Sequence, residues 1–598
     1  MSKFTVAFTS LVILAGVVIA QTGRKKESKR AETMQLARDP GSPFAKLADR
    51  YFDEFYFKYY PTAGTAAGFH QYDTRLEDYS RNSIDSQVSA LKQFKTQFEN
   101  VKTINGSQEE QFDRDLVLAD INSRLLALEN IRQWETNPDV YSSGITNSAF
   151  LIMSRKFASP DERLKSLIAR EKQMPGVFDA AKQNLKNPPR IYSEVALEQL
   201  PGIIGFFQKD VPDAFKEAKD QPTIQEFQKT NQQLISALQG YQKWIKDDLL
   251  PKSNGDFKIG ADNYRKKLLY DEMVDIPLDR LLEIGTANLR RNQDEFRRVA
   301  KLLDPNKAPE QILHELESDH PAPDRLLEAF RNTFSDLRKF ITDKHIVTIP
   351  SPVSPIVEET PPFMRALTMA SMDTPGPFEN VAKEAFFNVT LPETAWTPQQ
   401  VEEHMEGFNR GTVISTAIHE AFPGHYVQFL WVQHAPSKVR KLLGCSSNAE
   451  GWAHYTEQMM LDEGYGHTPG VPEEKDASFL KLRLGQLQDA LLRNARFIVG
   501  IKMHTGQMTF DQGVEFFEKE GFQSHANSLR ETKRGTSDPT YLVYTLGKLE
   551  ILRLRDDYRK KVGDKFSLED FHNKFLEQGF PPVKIIRQAM LGDNSPTL

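Results

Sequence analysis

From about residue 80 to residue 345, apolar side chains return every three to four positions in one segment after another: 84–101, 108–133, 161–187, 224–248 and 278–304. Pro, Gly and Asn separate the segments. That period lines one face of a helix with apolar groups, and such a face is buried only against another element. The chain must therefore stack helices. At 598 residues with 39% hydrophobic content it can bury a large core and has length for two or more compact lobes. No fixed sequence repeat is visible, so a solenoid is not expected. Upstream, Phe44, Leu47, Tyr51, Phe55 and Phe57 to Tyr60 form an aromatic helical face that reads as core and stops at Pro61.

Between His345 and Trp396 the punctuation changes to prolines at 350, 352, 355, 361, 362, 375, 377 and 392. The β-prone runs between them, Ile346 to Ile349, Ile356 to Glu359, Ala366 to Met372 and Ala385 to Leu391, predict a small sheet. Such a strand is either a packing ornament or an edge along which an extended peptide pairs its backbone; packing is the safer reading. Thr397-Pro398-Gln-Gln400 then has the chemistry of a helix start, with a capping threonine, a first-turn proline and a capping-box glutamine. That helix is expected to run to about Asn409 and to be interrupted by Gly411.

The run from Thr412 to Trp431 is almost wholly apolar, yet it contains His419, Glu420 and His425. Ionisable groups are costly to bury unless they are paired, hydrogen-bonded or metal-bound, and one divalent metal would account for all three. The pattern resembles the zinc-protease helix motif His-Glu-x-x-His, but here the second histidine follows by six positions. In a straight helix that turns it by roughly 240° from the first. Pro423 and Gly424 leave two outcomes open: a bulge that returns His425 to His419, or the end of one helix with His425 opening the next.

A second segment, His314-Glu315-Leu-Glu-Ser-Asp-His320, has the same spacing. It lies among Glu310, Glu317 and Asp319 without an apolar flank and meets Pro321 at once, so it reads as a solvated helix end.

Ser446, Ser447 and Asn448 offer caps for a helix in which Trp452, Tyr455 and Met459 make one stripe and Glu450, Ala453, His454 and Glu457 another. The second stripe either faces solvent or lines the metal site. In the latter case Glu450 is a third ligand, and two histidines plus one carboxylate form the donor set of thermolysin-like zinc hydrolases. Glu457 or His454 would then orient the ligands.

Residues 419–425 and 450–455, with the proline-rich run before them, resemble the bacterial family DUF885, whose hallmarks are His-Glu-Ala-x-Pro-Gly-His and Glu-Gly-Trp-Ala-x-Tyr. The similarity extends over nearly the whole chain from about Phe44. That family is in turn similar to gluzincin-type metallopeptidases whose zinc sits on two helices between two mostly helical lobes. The resemblance implies a mainly α, two-lobed protein with a central cleft and a small β-sheet beside the active-site helices. It also implies one zinc ion on His419, His425 and Glu450, with Glu420 as the catalytic glutamate. Related families often place a tyrosine and an arginine near the zinc. Tyr544, three residues before Gly547, matches the tyrosine, and Arg534 is the weaker counterpart. Asp538-Pro539 is read as the cap of the helix that carries Tyr544.

The expected organisation is a signal peptide over 1–20, a disordered leader over 21–42, an N-terminal helical lobe over 43–345 and a catalytic lobe over 346–598. The apolar run Val6 to Ala20 ends in small residues suited to signal-peptidase cleavage, which makes the protein exported, periplasmic or secreted. The basic cluster Arg24 to Arg30 leaves uncleaved anchoring as the alternative. No later segment is apolar enough to span a bilayer, so no stable membrane insertion is expected after cleavage. The single cysteine, Cys445, excludes an intrachain disulfide. A formal charge of −6 gives no footprint for nucleic acid. The expected activity is zinc-dependent hydrolysis of a peptide substrate. The alternatives are hydrolysis of non-peptide amides or esters, or an exported helical binding protein whose metal is structural or absent.

Overall fold

The structure, a computed structural model, describes residues 41–598 except 104–106, 362–363 and 366–367. The signal-peptide segment and the leader up to residue 40 lie outside the described residues. Ser42, expected as the end of the leader, belongs to the folded body. Its hydroxyl accepts the Ala45 amide at 3.0 Å, capping helix α1 (Pro43–Arg50), and donates to Glu110 at 2.6 Å.

The chain is mainly helical. The segments expected from periodicity fold as α2 (Arg81–Asn100), α3 (Gln108–Leu125), α5 (Pro160–Glu171), α6 (Met174–Asn184), α7 (Gln221–Trp244) and α8 (Leu278–Leu303), with a further helix, α4 (Asp139–Ser154), between α3 and α5. The single helix expected over 161–187 is two, α5 and α6. Pro175 has no amide to donate across the junction, and it sits in the first turn of α6, where none is needed. Next come α9 (Pro309–Glu317) and α10 (Leu326–Asp343).

Three short strands follow: β1 (Ile356–Glu359), β2 (Ala370–Asp373) and β3 (Phe386–Val389). They form a sheet in the order β1-β3-β2, with β1 parallel and β2 antiparallel to β3. β2 is thus an edge strand. The run Ile346 to Ile349, expected as a strand, is not one, because helix side chains take its backbone groups. Thr348 N donates to Asn573 Oδ1 and Thr348 O accepts the Trp431 indole, both at 3.0 Å.

The second half continues with α11 (Pro398–Met405), α12 (Arg410–Glu420), α13 (His425–Val432), α14 (Ser446–Asp462), α15 (Ala477–His504), α16 (His525–Ser537) and α17 (Val543–Val562). Thr397 and Gln400 make the expected capping box on α11. The helix carrying Tyr544 starts at Val543, so Asp538 does not cap it; the Asp538 carboxylate accepts from Arg534 instead.

Hydrophobic packing crosses residue 345. Leu289 and Phe296 of α8 share a cluster with Leu484, Leu491 and Ile498 of α15. Phe330 and Phe334 of α10 share another with Phe422, Trp452 and Tyr455. Each such aromatic contributes about 1.5–3 kcal/mol on burial, so the helices around the site are held by partners far away in sequence. No helix of the described residues is long and apolar enough to cross a membrane.

Candidate active site

α12 begins at Arg410 because the Asn409 side chain accepts the amides of Gly411 and Thr412 at 3.0 and 3.1 Å. Gly411 therefore lies inside this helix and interrupts nothing. α12 ends at Glu420, and the Gly424 amide folds back to donate to Ile418 O at 2.9 Å. A β-carbon on Gly424 would stand 1.8 Å from His419 O, so only glycine permits the reversal. α13 then opens with His425. Of the two outcomes for Pro423-Gly424, the helix does end, and His425 still returns to His419. The ring centroids are 4.8 Å apart with perpendicular planes.

α14 is fixed by two contacts. The Trp452 indole donates to Pro423 O at 2.9 Å, tying the helix to the turn. Gly451 crosses Gly547 of α17 so closely that a β-carbon on Gly547 would be 1.8 Å from Ser447 O. Main chain meets main chain there, which sets Glu450 near the start of α17, where Tyr544 lies. Glu450 Oε2 lies 3.4 Å from His419 Nε2 and 3.3 Å from His425 Nε2. One ligand-type atom from each of His419, His425 and Glu450 falls within 4.8 Å of the others. Buried Glu450 Oε2, Glu420 Oε2 and His425 Nδ1 have no hydrogen-bond partner.

The second stripe of α14 is buried rather than solvent-facing: Ala453, His454 and Glu457 are 0% exposed. Glu457 accepts a hydrogen bond from His419 Nδ1 at 2.6 Å, meets His454 Nδ1 at 3.0 Å, and pairs with Arg493 at 3.0 Å. Burial works against the Glu457 charge, but Arg493, His454 and His419 hold this carboxyl well below the usual range. For His419, burial is outweighed by the carboxylates of Glu450 and Glu457 beside it, and the imidazole is carried up to about 9. Burial likewise opposes the Glu450 charge, yet His425 and His419 hold it well below the usual carboxylate range. Burial pushes Glu420 up, with the two imidazoles partly restraining it.

Tyr544 faces the His419 ring, with centroids 6.3 Å apart and planes at 22°. Its hydroxyl accepts from Arg534 at 3.2 Å. All six residues singled out in the sequence, His419, Glu420, His425, Glu450, Arg534 and Tyr544, line one cavity of about 960 Å³. Thr368 to Met372, covering most of β2, form one of its walls. The segment His314 to His320 brings no third ligand; the cluster of His419, His425 and Glu450 is the one metal-compatible group among the described residues.

Sequence reasoning passed over Asp489, Arg493 and Arg496 on α15, all of which line the cavity. A signal was present. They recur at i, i+4 and i+7 along one face of a long helix rich in Leu, Ile and Phe. Burial pushes Asp489 up to about 6, with Arg493 opposing and Glu457 reinforcing the shift.

The model of a family described as bacterial protein of unknown function (DUF885) matches residues 61–590. No curated protein matches the chain. Among solved structures, the chain is similar to a candidate lipoprotein of unknown function from Shewanella oneidensis. The identity is 25%, the TM-score 0.75, and the match covers 92% of this chain and 100% of that one. It is also similar to a candidate lipoprotein from Colwellia psychrerythraea, at 18% identity and TM-score 0.74, covering 92% of this chain and 98% of that one.

Proposed function

The chain belongs to the DUF885 family, and on the geometry of its site we propose that it is a zinc-dependent hydrolase, a metallopeptidase acting on oligopeptides. The observation that carries this reading is the meeting of His419, His425 and Glu450, with buried Glu450 Oε2 lacking any hydrogen-bond partner. Two imidazoles and one carboxylate suit zinc, and three protein ligands rather than four are typical of catalytic sites, not structural ones. A zinc ion in that set supplies Lewis acidity toward water and the scissile carbonyl.

The protein's own groups do the rest. Glu420, buried with Oε2 unpartnered, takes the proton of the attacking water and hands it to the leaving amine; its raised carboxyl suits both transfers. Glu457 fixes the His419 ring by holding its Nδ1 proton, and Arg493 and His454 keep Glu457 charged and oriented. Tyr544, its hydroxyl oxygen held by Arg534, donates a hydrogen bond to the oxyanion as charge develops. No strand pairs with the outer edge of β2, and although Ala370 O accepts the Thr368 hydroxyl at 2.8 Å, the rest of that edge offers backbone groups along which an extended peptide pairs. This favours peptides over other amides or esters.

Export belongs to the same reading. The apolar run Val6 to Ala20 is a signal peptide, and both solved relatives are described as candidate lipoproteins. The test is elemental analysis of purified protein together with digestion of a mixed peptide library, products being read by mass. One zinc per chain, and cleavage that chelator abolishes and zinc restores, is the expected result. Protein free of zinc, or cleavage indifferent to chelation, defeats the proposal.

A further inference from the structure

Four arginines line the cavity, Arg493 and Arg496 from α15, Arg530 and Arg534 from α16. Three of them have acids. Arg493 pairs with Glu457 at 3.0 Å, Arg496 grips Glu531 through two bonds of 2.6 and 2.8 Å, and Arg534 reaches Asp538 at 3.3 Å. Arg530 makes no ion pair with any described residue. Its guanidinium donates to two neutral atoms, Asn527 Oδ1 at 2.9 Å and Met369 Sδ at 3.3 Å. A guanidinium carries five N–H donors, so donors remain. Burial pulls this group below its ordinary value, with Glu531 opposing and Arg496 reinforcing the effect.

The position of Arg530 is as informative as its lack of a partner. Asn527, Arg530 and Arg534 follow one another at i, i+3 and i+7, so one face of α16 is turned to the cavity. Met369, which Arg530 touches, immediately precedes β2. The cation therefore stands at the Met369 end of the free strand edge, on the wall that also carries the Arg534–Tyr544 pair. A half-buried cation without a counter-ion is costly, and an anion arriving with the ligand relieves that cost. The planar fork of arginine matches a carboxylate through two parallel bonds.

We infer that Arg530 anchors a carboxylate of the substrate, either the C-terminal α-carboxylate or an acidic side chain, while the peptide backbone lies along β2. This rests on the proposed peptidase reading and deepens it: the preferred substrates are short peptides with a negative charge at a set distance from the cleaved bond. Arg530 acts on binding and touches none of the groups that move protons.

Binding and turnover are measured separately, so that failure of the subsite and failure of the peptidase reading are distinguishable. The probes are one N-acetylated tripeptide as its free acid, the same peptide as its C-terminal amide, and the amide with glutamate as its last residue. Calorimetry on the zinc-loaded full chain is expected to show the free acid, the glutamate amide, or both, bound at least about tenfold more tightly than the neutral amide. Whichever peptide shows the preference identifies the source of the carboxylate. Arg530→Gln removes that preference while its melting temperature matches the parent protein, and Arg530→Lys keeps part of it. In a turnover assay Arg530→Gln raises KM for charged peptides and leaves kcat within about twofold. Equal binding of all three probes, binding of none, or a preference unchanged in Arg530→Gln overturns the inference. Absence of cleavage alongside an Arg530-dependent preference overturns the peptidase reading alone.

Discussion

His314-Glu315 with His320, and His419-Glu420 with His425, share one spacing within one chain, and their fates are opposite. The first rides on α9, where His314 is exposed and Glu315 pairs with Lys307 at 2.6 Å. α9 ends at Glu317, and His320 turns to Glu402 at 3.2 Å and to its own neighbour's carbonyl, Pro321 O, at 3.0 Å. The second lies in core. Its helix also ends before the second histidine, but Phe422, Pro423 and Gly424 fold the chain back onto the helix instead of away from it. What separates the two is not the interval between the histidines. It is a buried turn tight enough to need glycine, and a neighbouring helix that brings a carboxylate and a second carboxylate behind it.

That contrast breaks most visibly at the ligands. His425→Ala is expected to drop zinc from one ion per chain to near none and to abolish cleavage, whereas His320→Ala leaves both unchanged; elemental analysis beside an activity assay reads the pair. Glu420→Gln is expected to retain the metal and lose roughly 10²–10⁴-fold in kcat. Glu315→Gln at the same place in the other segment should match the parent protein, and full activity in Glu420→Gln would remove that residue from the mechanism. Tyr544→Phe should cost roughly 10²-fold in kcat with KM little changed, as expected for a donor that acts on developing charge. Glu457→Gln should weaken zinc affinity by roughly 10–100-fold, measured by competition with a chelator. Its counterpart Glu402→Gln, the partner of His320, should shift stability by no more than about 1 kcal/mol, because an exposed ion pair contributes little.

Long periodic helices were legible in the sequence because burial of one face leaves a regular trace: the expectations 224–248 and 278–304 correspond to Gln221–Trp244 and Leu278–Leu303. The six residues expected at the site converge on one cavity, since ionisable groups inside apolar runs need partners wherever the chain takes them. What the sequence concealed are interactions between distant segments. Ile346 to Ile349 has strand composition, but its backbone is taken by Asn573 and Trp431, which lie far along the chain. Arg493 and Arg496 were passed over; their spacing put them on one face of a long helix, and packing turns that face inward against Glu457 and Glu531. The burial of Glu457 was open to two readings, because a stripe of acids on a helix has the same pattern whether it meets water or a neighbour.

The contact of Gly451 with Gly547 makes the spacing of the site insensitive to its surroundings. At the crossing of Gly451 and Gly547 no side chain separates α14 from α17, so main-chain atoms set their approach there and with it the spacing of Glu450 from Tyr544. Changes in the surrounding core cannot open that gap without breaking the contact. Of the four arginines that α15 and α16 bring to the cavity, Arg493, Arg496 and Arg534 are held by acids, and Arg530 alone is bound only to neutral atoms. A side chain at either glycine would push the two helices apart and move Glu450 away from Tyr544, whereas a change at Arg530 leaves that spacing as it is.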